Sequence, residues 1–234
     1  MDHYRYILQT CSPVMVIASR FVHRAPIFLA FLDLMLVTSL FLAPLSVPHG
    51  TVTHLDANAN WIDHTDRWKQ MDPFPMIVYT FGDLNCHQMM NRSLIINGNQ
   101  LPVCARDTAT FIGVLLGIVL LIRARAHDHP SIIFASILPG RFRRGWFGRH
   151  PAILFTGAIL LLLVPTALDG GIQALSYMSI LPWGMSYEST NPTRILTGFP
   201  FGMGIGFLLT TMVMALFSRR EEGGPSLLKY LFSE

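Results

Sequence analysis

Apolar residues fall along this chain in long, nearly unbroken blocks rather than in a two-residue alternation. The first block runs from Pro26 to Val47, and only Asp33, Thr38 and Ser39 interrupt its interior. Three more follow: Thr108 to Ile122, stopped by Arg123 and Arg125; Ala152 to Leu168, ending at Asp169-Gly170-Gly171; and Arg194 to Phe217, stopped by Arg219 and Arg220. A hydrocarbon core about 30 Å thick takes roughly 20 helical residues to cross. The pattern therefore predicts an all-α integral membrane bundle with four spans, at 26–47, 108–122, 152–168 and 194–217. Proline at position 26 suits the first turn of its helix.

A shorter apolar stretch, Phe74 to Leu84, covers about eleven residues and is too short to span comfortably. It predicts a half-inserted or interfacial helix on the outer side, opening after Pro73 and Pro75 and delivering Cys86-His87-Gln88 at its far end. The alternative is a fifth span reaching into the 90s, against which Asn91, Arg92 and Asn97 argue. Residues 1–25 form a separate N-terminal segment, cytoplasmic or interfacial, with Arg20, His23 and Arg24 at its end; Pro13 argues against one continuous helix there. Arg5, Arg20 and Arg24 break up any cleavable signal, so the first span is expected to act as an uncleaved anchor. The membrane domain is 26–217, and 218–234 is the tail.

The charges give this scheme a direction. Arg123, Arg125, Arg141, Arg143, Arg144 and Arg149 crowd the loop from Arg123 to His150, which the positive-inside rule assigns to the cytoplasm. With four spans, the N-terminus and the tail share that side in the cell membrane. The loop from Pro48 to Pro73, with Asp56, Asp63, Asp66 and Asp72 against Arg67 and Lys69, then faces out. So does the loop from Asp169 to Thr193.

Composition agrees: the 234 residues are 51% hydrophobic and only 13% charged, against roughly a quarter charged in a soluble domain. The formal charge of +3 is small and its basic residues lie near span ends, which excludes a nucleic-acid partner and leaves the lipid bilayer as the expected one. Gly113 with Gly117, Gly198 with Gly202, and Gly202 with Gly206 are each four apart, a spacing that lets helix backbones approach closely within the bundle or against other membrane subunits.

Two motifs carry candidate chemistry: Cys86-His87-Gln88, and Pro102-Val103-Cys104-Ala105-Arg106-Asp107 just before a span. Polar and ionisable groups are costly beside hydrocarbon, so their presence there points to function. One reading is a metal site, with Cys86 and Cys104 as thiolates and His87 and Asp107 completing a tetrahedral set; zinc accepts all three ligand types, whereas magnesium would not choose thiolates. A second is a Cys86–Cys104 disulfide, worth roughly 3 kcal/mol, pinning a hairpin whose Asn97-Gly98-Asn99 is a turn signal. Free buried thiols are a third. Cys11 reads as an ordinary small apolar residue.

With the cysteines stand Gln88, Arg92, Arg106, Asp169 and Arg194, all at outer helix ends or in outer loops. Asp169 reads as a general base or ligand-orienting group, or as a helix-end carboxylate paired with Arg194; Gln173 and Asn191 offer neutral hydrogen bonds nearby. A carboxylate at position 107 also suits a helix N-terminus, by about 0.3 to 1 kcal/mol. Asp33, inside a span, reads as a polar helix contact or a proton relay. His49, His54 and His64 are expected to be solvated loop residues or loose metal ligands, and His127, His129 and His150 to add polarity to the basic loop.

At these residues the chain resembles a family of small bacterial and archaeal multispan membrane proteins, a domain of unknown function. Its pattern is C-H-Q, then R-S, P-V-C-A-R-C-T-G at the head of a span, a later D-G, and N-x-x-R-x-x-T-G before the last span. Cys86-His87-Gln88, Arg92-Ser93, Gly98, Pro102 to Arg106, Asp169-Gly170, Asn191, Arg194 and Thr197-Gly198 match it, over about Phe74 to Phe217. Here Asp107 stands for the second cysteine of C-A-R-C, and Ala109 for the glycine. Aspartate still ligates zinc, whereas a C-x-x-C thiol redox pair is lost.

These readings converge on a metal-dependent hydrolase or transferase acting on a lipid or lipid-linked substrate. A bound zinc would lower the pKa of a water, Asp169 would serve as base, and Arg92, Arg106 and Arg194, with Gln88 beside them, would receive an anionic head group. The alternatives are a non-catalytic subunit braced by its cysteine motif and a small transporter with a wet path from Asp33 to Asp169.

Overall fold

The computed structural model describes residues 13–56, 61–178 and 186–221. They are mostly helical, with one two-stranded sheet. Two compact units emerge, one of Leu32–Leu116 with Leu161–Gly204, the other of Met1–Phe31, Gly117–Leu160 and Ile205–Glu234.

Among the described residues, three helices are long and apolar enough to cross a membrane: α1, Pro13–Ser46; α8, Pro151–Tyr177; and α9, Asn191–Glu221. Their spanning windows, Arg24–Ser46, Pro151–Tyr177 and Asn191–Ser218, have mean hydropathies of 2.2, 2.2 and 1.8. The fourth block forms α4, Ala105–Leu120, of 16 residues. At 1.5 Å per residue it rises about 24 Å, short of a core about 30 Å thick. A strand ends at Cys104 immediately before it, and a turn at Leu121 to Arg123 closes it. Between α1 and α4 lie α2, Thr65–Trp68, and α3, Pro73–Asn85; after α4 come α5, Pro130–Ser136, α6, Gly140–Arg144, and α7, Trp146–Arg149.

Two helix boundaries differ from the sequence expectation. α1 begins at Pro13 and continues through Pro26, so Pro26 lies inside the helix rather than in its first turn. A proline lacks one intrahelical donor, and the apolar run on its C-terminal side carries the helix past it. α8 likewise continues through Asp169-Gly170-Gly171 to Tyr177. Each glycine costs about 1 kcal/mol in a helix, but side chains on this extension are anchored at Asp169 and Gln173, as described below. Cys11 and most of the tail lie outside the described residues.

In the Leu32–Leu116 and Leu161–Gly204 unit, the core joins Leu40, Ala43 and Val47 of α1 to Val52, Leu55, Trp68, Val78, Tyr79 and Val103. The indole of Trp68 stacks on Tyr79 with centroids 5.0 Å apart. Strands β1, Ser93–Ile96, and β2, Asn99–Cys104, pair antiparallel through Asn97-Gly98, whose φ values of +54° and +67° suit a two-residue hairpin turn. The expected turn is therefore present. A bulge between Ser93 and Ile95 sets Ser93 opposite Cys104.

Buried amides tie this hairpin to the preceding loop. Asn99 Oδ1 accepts Val52 N at 2.9 Å, and its Nδ2 donates to the Pro44 and Pro48 carbonyls at 2.9 and 3.0 Å. Gln100 accepts from Leu55 N at 3.2 Å, while its carbonyl takes the Tyr79 hydroxyl at 2.8 Å. The loop after α1 is thus not merely solvated: Val52, Leu55 and Trp68 are fully buried within it.

Three of the small-residue positions act as backbone contacts between α4 and α9. A Cβ on Gly202 would overlap the Thr110 carbonyl, one on Gly113 the Phe199 carbonyl, and one on Gly198 would lie 2.5 Å from the Arg106 carbonyl. The Thr110 hydroxyl donates to the Gly198 carbonyl at 3.2 Å across the same seam.

In the other unit, the basic loop holds short helices rather than solvated chain alone. Phe134 of α5 meets Phe155 at 5.4 Å and Phe207 edge-on at 5.1 Å. Asp128 contacts the His127 ring at 2.5 Å and the His129 ring at 3.8 Å.

Candidate functional site

α3 ends at Cys86, whose N–H closes the helix on the Gly82 carbonyl at 2.9 Å before the backbone turns extended. Successive side chains of extended chain point to opposite sides. Cys86 therefore goes inward at 5% exposure, His87 outward, and Gln88 inward again at 0%. Gln88 holds a left-handed backbone, φ +49°, and its Nε2 donates to the Pro102 carbonyl at 2.7 Å and the Tyr79 carbonyl at 3.3 Å. It locks the end of α3 against β2; its Oε1 is buried without a partner among the described residues.

β2 runs straight into α4, so Cys104 and Asp107 occupy a strand end and the first helical turn. Cys104 N–H donates to Cys86 Sγ at 3.2 Å, and Cys104 Sγ donates to Asp107 Oδ2 at 3.1 Å. The ligand atoms of Cys86, Cys104 and Asp107 all lie within 4.8 Å of one another. Both cysteines are free thiols. The structure thus has no Cys86–Cys104 disulfide: Cys86 Sγ accepts the Cys104 N–H, and Cys104 Sγ donates to the Asp107 carboxylate. A hydrogen bond with the Cys104 side chain, then burial, then the adjacent Cys104 and Asp107 push the Cys86 thiol well above its ordinary range, opposed by the Gln88 backbone.

His87, expected beside these ligands, stands apart from the group of three, exposed at the wall of an adjoining cavity. That cavity, of about 540 Å³, is lined by Cys86, Cys104 and Asp107 together with Arg92, Arg106 and Arg194. Gly170, Gln173, Ala174, Tyr177 and Met178 supply a further wall. Their spacing is that of one helical face, so the wall exists only because α8 continues beyond Asp169. All these residues belong to one compact unit.

Asp169 pairs with Arg106 and not, as one of the alternative readings had it, with Arg194: Arg106 Nη2 donates to Oδ2 at 2.5 Å. The carboxylate also accepts the Tyr187 hydroxyl at 2.6 Å, the Ser189 hydroxyl at 2.9 Å and, more weakly, Thr197 at 3.4 Å. Its oxygens are occupied by donors. Gly170 leaves room for the arginine, since a Cβ there would sit 3.4 Å from Arg106 Nη1. Hydrogen bonding to that carboxylate, above all else, raises the Tyr187 phenol above its ordinary value.

Arg194, 2% exposed, donates from Nε to the Ser189 carbonyl at 2.9 Å and from Nη2 to Gln173 Oε1 at 3.3 Å. Arg92 pairs with Glu188 at 3.2 Å, donates to the Tyr177 hydroxyl and lies 5.3 Å from the centre of that ring. Asn191 donates to the Ser93 carbonyl at 3.5 Å and is not part of the cavity wall.

Sequence reasoning missed Asp83, a fully buried carboxylate that accepts the Trp68 indole N–H at 2.6 Å and meets the His64 ring at 3.1 Å. His64 is accordingly held rather than solvated. It missed Tyr187, Glu188 and Ser189 as well; the signal was a run of polar residues directly before the Asn191-x-x-Arg194 helix start. Asp33 Oδ2 is buried without a partner among the described residues.

Residues 86–208, from the first cysteine motif into the last span, match the model of a family described as predicted membrane protein DUF2085. Similar proteins occur in methanogenic archaea. An uncharacterized protein of Methanocaldococcus jannaschii, MJ1492, is 28% identical over 132 residues, which cover 56% of this chain and 65% of that protein. An uncharacterized protein of Methanothermobacter thermautotrophicus is 26% identical over 123 residues, 53% of this chain and 82% of the relative. No solved structure matches the chain. Since the matched region is more than half of the sequence and contains Cys86, Cys104, Asp107 and the three cavity arginines, this chain belongs to the DUF2085 family of membrane proteins.

Proposed function

We propose that this protein is a multispan membrane protein that holds a divalent metal, zinc by the character of the donors, between Cys86, Cys104 and Asp107. The observation that carries the reading is the convergence of two thiols and a carboxylate within 4.8 Å beside a cavity. Two ligands 2.0–2.3 Å from one tetrahedral zinc lie about 3.5 Å apart, and the three ligand atoms here lie within 4.8 Å of one another. Three protein ligands leave a fourth position for water or substrate, the pattern of catalytic rather than structural zinc.

A metal so held would supply a water of lowered pKa, and the reaction class that fits is hydrolysis or group transfer on a lipid-like substrate. Asp169 takes a different part from the base expected of it: with its oxygens already accepting from Arg106, Tyr187 and Ser189, it positions Arg106. His87, exposed at the cavity wall, is the side chain free to carry a proton.

The topology belongs to the same proposal. α4 is the fourth span, its 16 helical residues extended by the turn that follows. The N-terminus and the arginine-rich segment lie in the cytoplasm by the positive-inside rule, and the cavity opens extracytoplasmically. Titration of the purified protein with cobalt(II) tests the centre: a thiolate-to-cobalt charge-transfer band in the near ultraviolet, lost in Cys86→Ser and in Cys104→Ser, is expected. No such band in the wild type overturns it.

A further inference from the structure

We infer that Arg194 is the seat of a phosphate-class oxyanion, the shared chemistry of a free phosphate and a phospholipid head group. The inference deepens the metal reading and rests on it in one respect, that the cation neutralises Asp107, the carboxylate on the cavity wall.

Charge bookkeeping across the cavity singles out this one arginine. Arg92 is matched by Glu188 at 3.2 Å, and Arg106 by Asp169 at 2.5 Å. Arg194 forms no ion pair among the described residues, although it is 2% exposed and lines the cavity. Its two hydrogen bonds go to neutral oxygens, the Ser189 carbonyl and Gln173 Oε1, and engage two of five guanidinium donors. A buried charge without a counterion is costly and is retained where something else supplies the opposite charge.

The two bonds that Arg194 does make fix its plane. Ser189 and Gln173 hold one edge, as supports hold a positioned ligand, and leave the remaining N–H groups for a planar bidentate contact of the kind phosphate and carboxylate accept. Next to it, Arg106 keeps its Nε–H buried without an acceptor among the described residues. Arg106 also lines the cavity, and its charge is already compensated by Asp169. The opposite character of Met89, Ala174 and Met178 accounts for the rest of the space, since these side chains offer nothing to an anion and suit a hydrocarbon portion. A free phosphate and a phospholipid head group share the anionic chemistry and differ only in whether they use this apolar wall.

The test uses the full chain in a phosphate-free nonionic detergent, loaded with zinc, and two calorimetric titrations. One probe is inorganic phosphate, the other phosphatidic acid dispersed in the same micelles. Saturable binding of either is expected, with phosphatidic acid tighter if the head group of a lipid is the ligand and the two equal if free phosphate is. Arg194→Met should weaken binding at least tenfold, and Arg194→Lys, which keeps the charge without the fork, severalfold. Should Arg194→Met fail to fold, Arg194→Lys decides. The inference is overturned if neither probe binds saturably, or if folded Arg194 variants bind as the wild type does. Metal content measured on the same samples separates the two readings. Phosphate binding without metal sinks the centre and leaves Arg194 its role, whereas metal without phosphate binding does the reverse.

Discussion

Arg106, in the first turn of α4, and Asp169, more than half-way along α8, meet at 2.5 Å, with the carboxylate side chain 4% exposed. Two residues 63 positions apart in sequence thereby tie α4 to α8 at the cavity wall. Breaking such a pair leaves a charge buried without its partner, at a cost of about 3–5 kcal/mol. Asp169→Ala should therefore lower the unfolding midpoint markedly in detergent. The Arg106→Met, Asp169→Ala double variant should lose less than the sum of the two single losses, which thermal or denaturant melts of all four proteins would read.

The seam between α4 and α9 gives a sharper steric prediction. Gly202→Ala must push against the Thr110 carbonyl and Gly113→Ala against the Phe199 carbonyl, so each should cost about 1–3 kcal/mol or abolish folded yield. Gly157 and Gly171 have open space where a Cβ would go. Alanine at either should be neutral or stabilising by up to about 1 kcal/mol through helix propensity. Size-exclusion yield and melting temperature measured side by side distinguish the two classes.

Asn99 offers a third. It satisfies the Val52 N–H and two carbonyls from a fully buried position. Asn99→Ala strands those groups and should cost about 2–3 kcal/mol. Because the loop it holds covers Trp68, the substitution should also quicken hydrogen exchange across residues 47–56, an effect that a change confined to the turn would not give.

Tyr187 carries a pH dependence. Its phenol is raised by its hydrogen bond to Asp169, so the folded state favours the protonated form. That stabilisation is fully present below the ordinary phenol value of about 10 and is lost as pH rises through the folded value. Ultraviolet difference titration of wild type against Tyr187→Phe should show one phenol ionising above the ordinary range. Thermal stability should fall more steeply with alkaline pH in the wild type than in the variant.

Much of this fold was legible in the chain because burial in hydrocarbon demands long apolar runs. The spans at α1, α8 and α9, the Asn97-Gly98 turn and the glycine seam all follow from local pattern. What was not legible depended on continuation or on distant partners. Asp169-Gly170-Gly171 reads as a helix end, and only contacts made by Asp169 and Gln173 with Arg106 and Arg194 show why the helix persists. The site motifs were visible as costly polar groups beside an apolar run. Yet the division of His87 from Cys86 follows from extended backbone geometry at the end of α3, and the pairing of Arg106 rather than Arg194 with Asp169 from helix placement. Neither is encoded at short range.

The central claim is that Cys86, Cys104 and Asp107 hold a metal. Elemental analysis of the purified full-length protein, prepared without chelator, tests it most directly. The account predicts about one zinc per chain, lost in both Cys86→Ser and Cys104→Ser and reduced in Asp107→Ala, with all three variants still folded. A wild-type protein free of metal, or zinc retained in full by both cysteine variants, would contradict it.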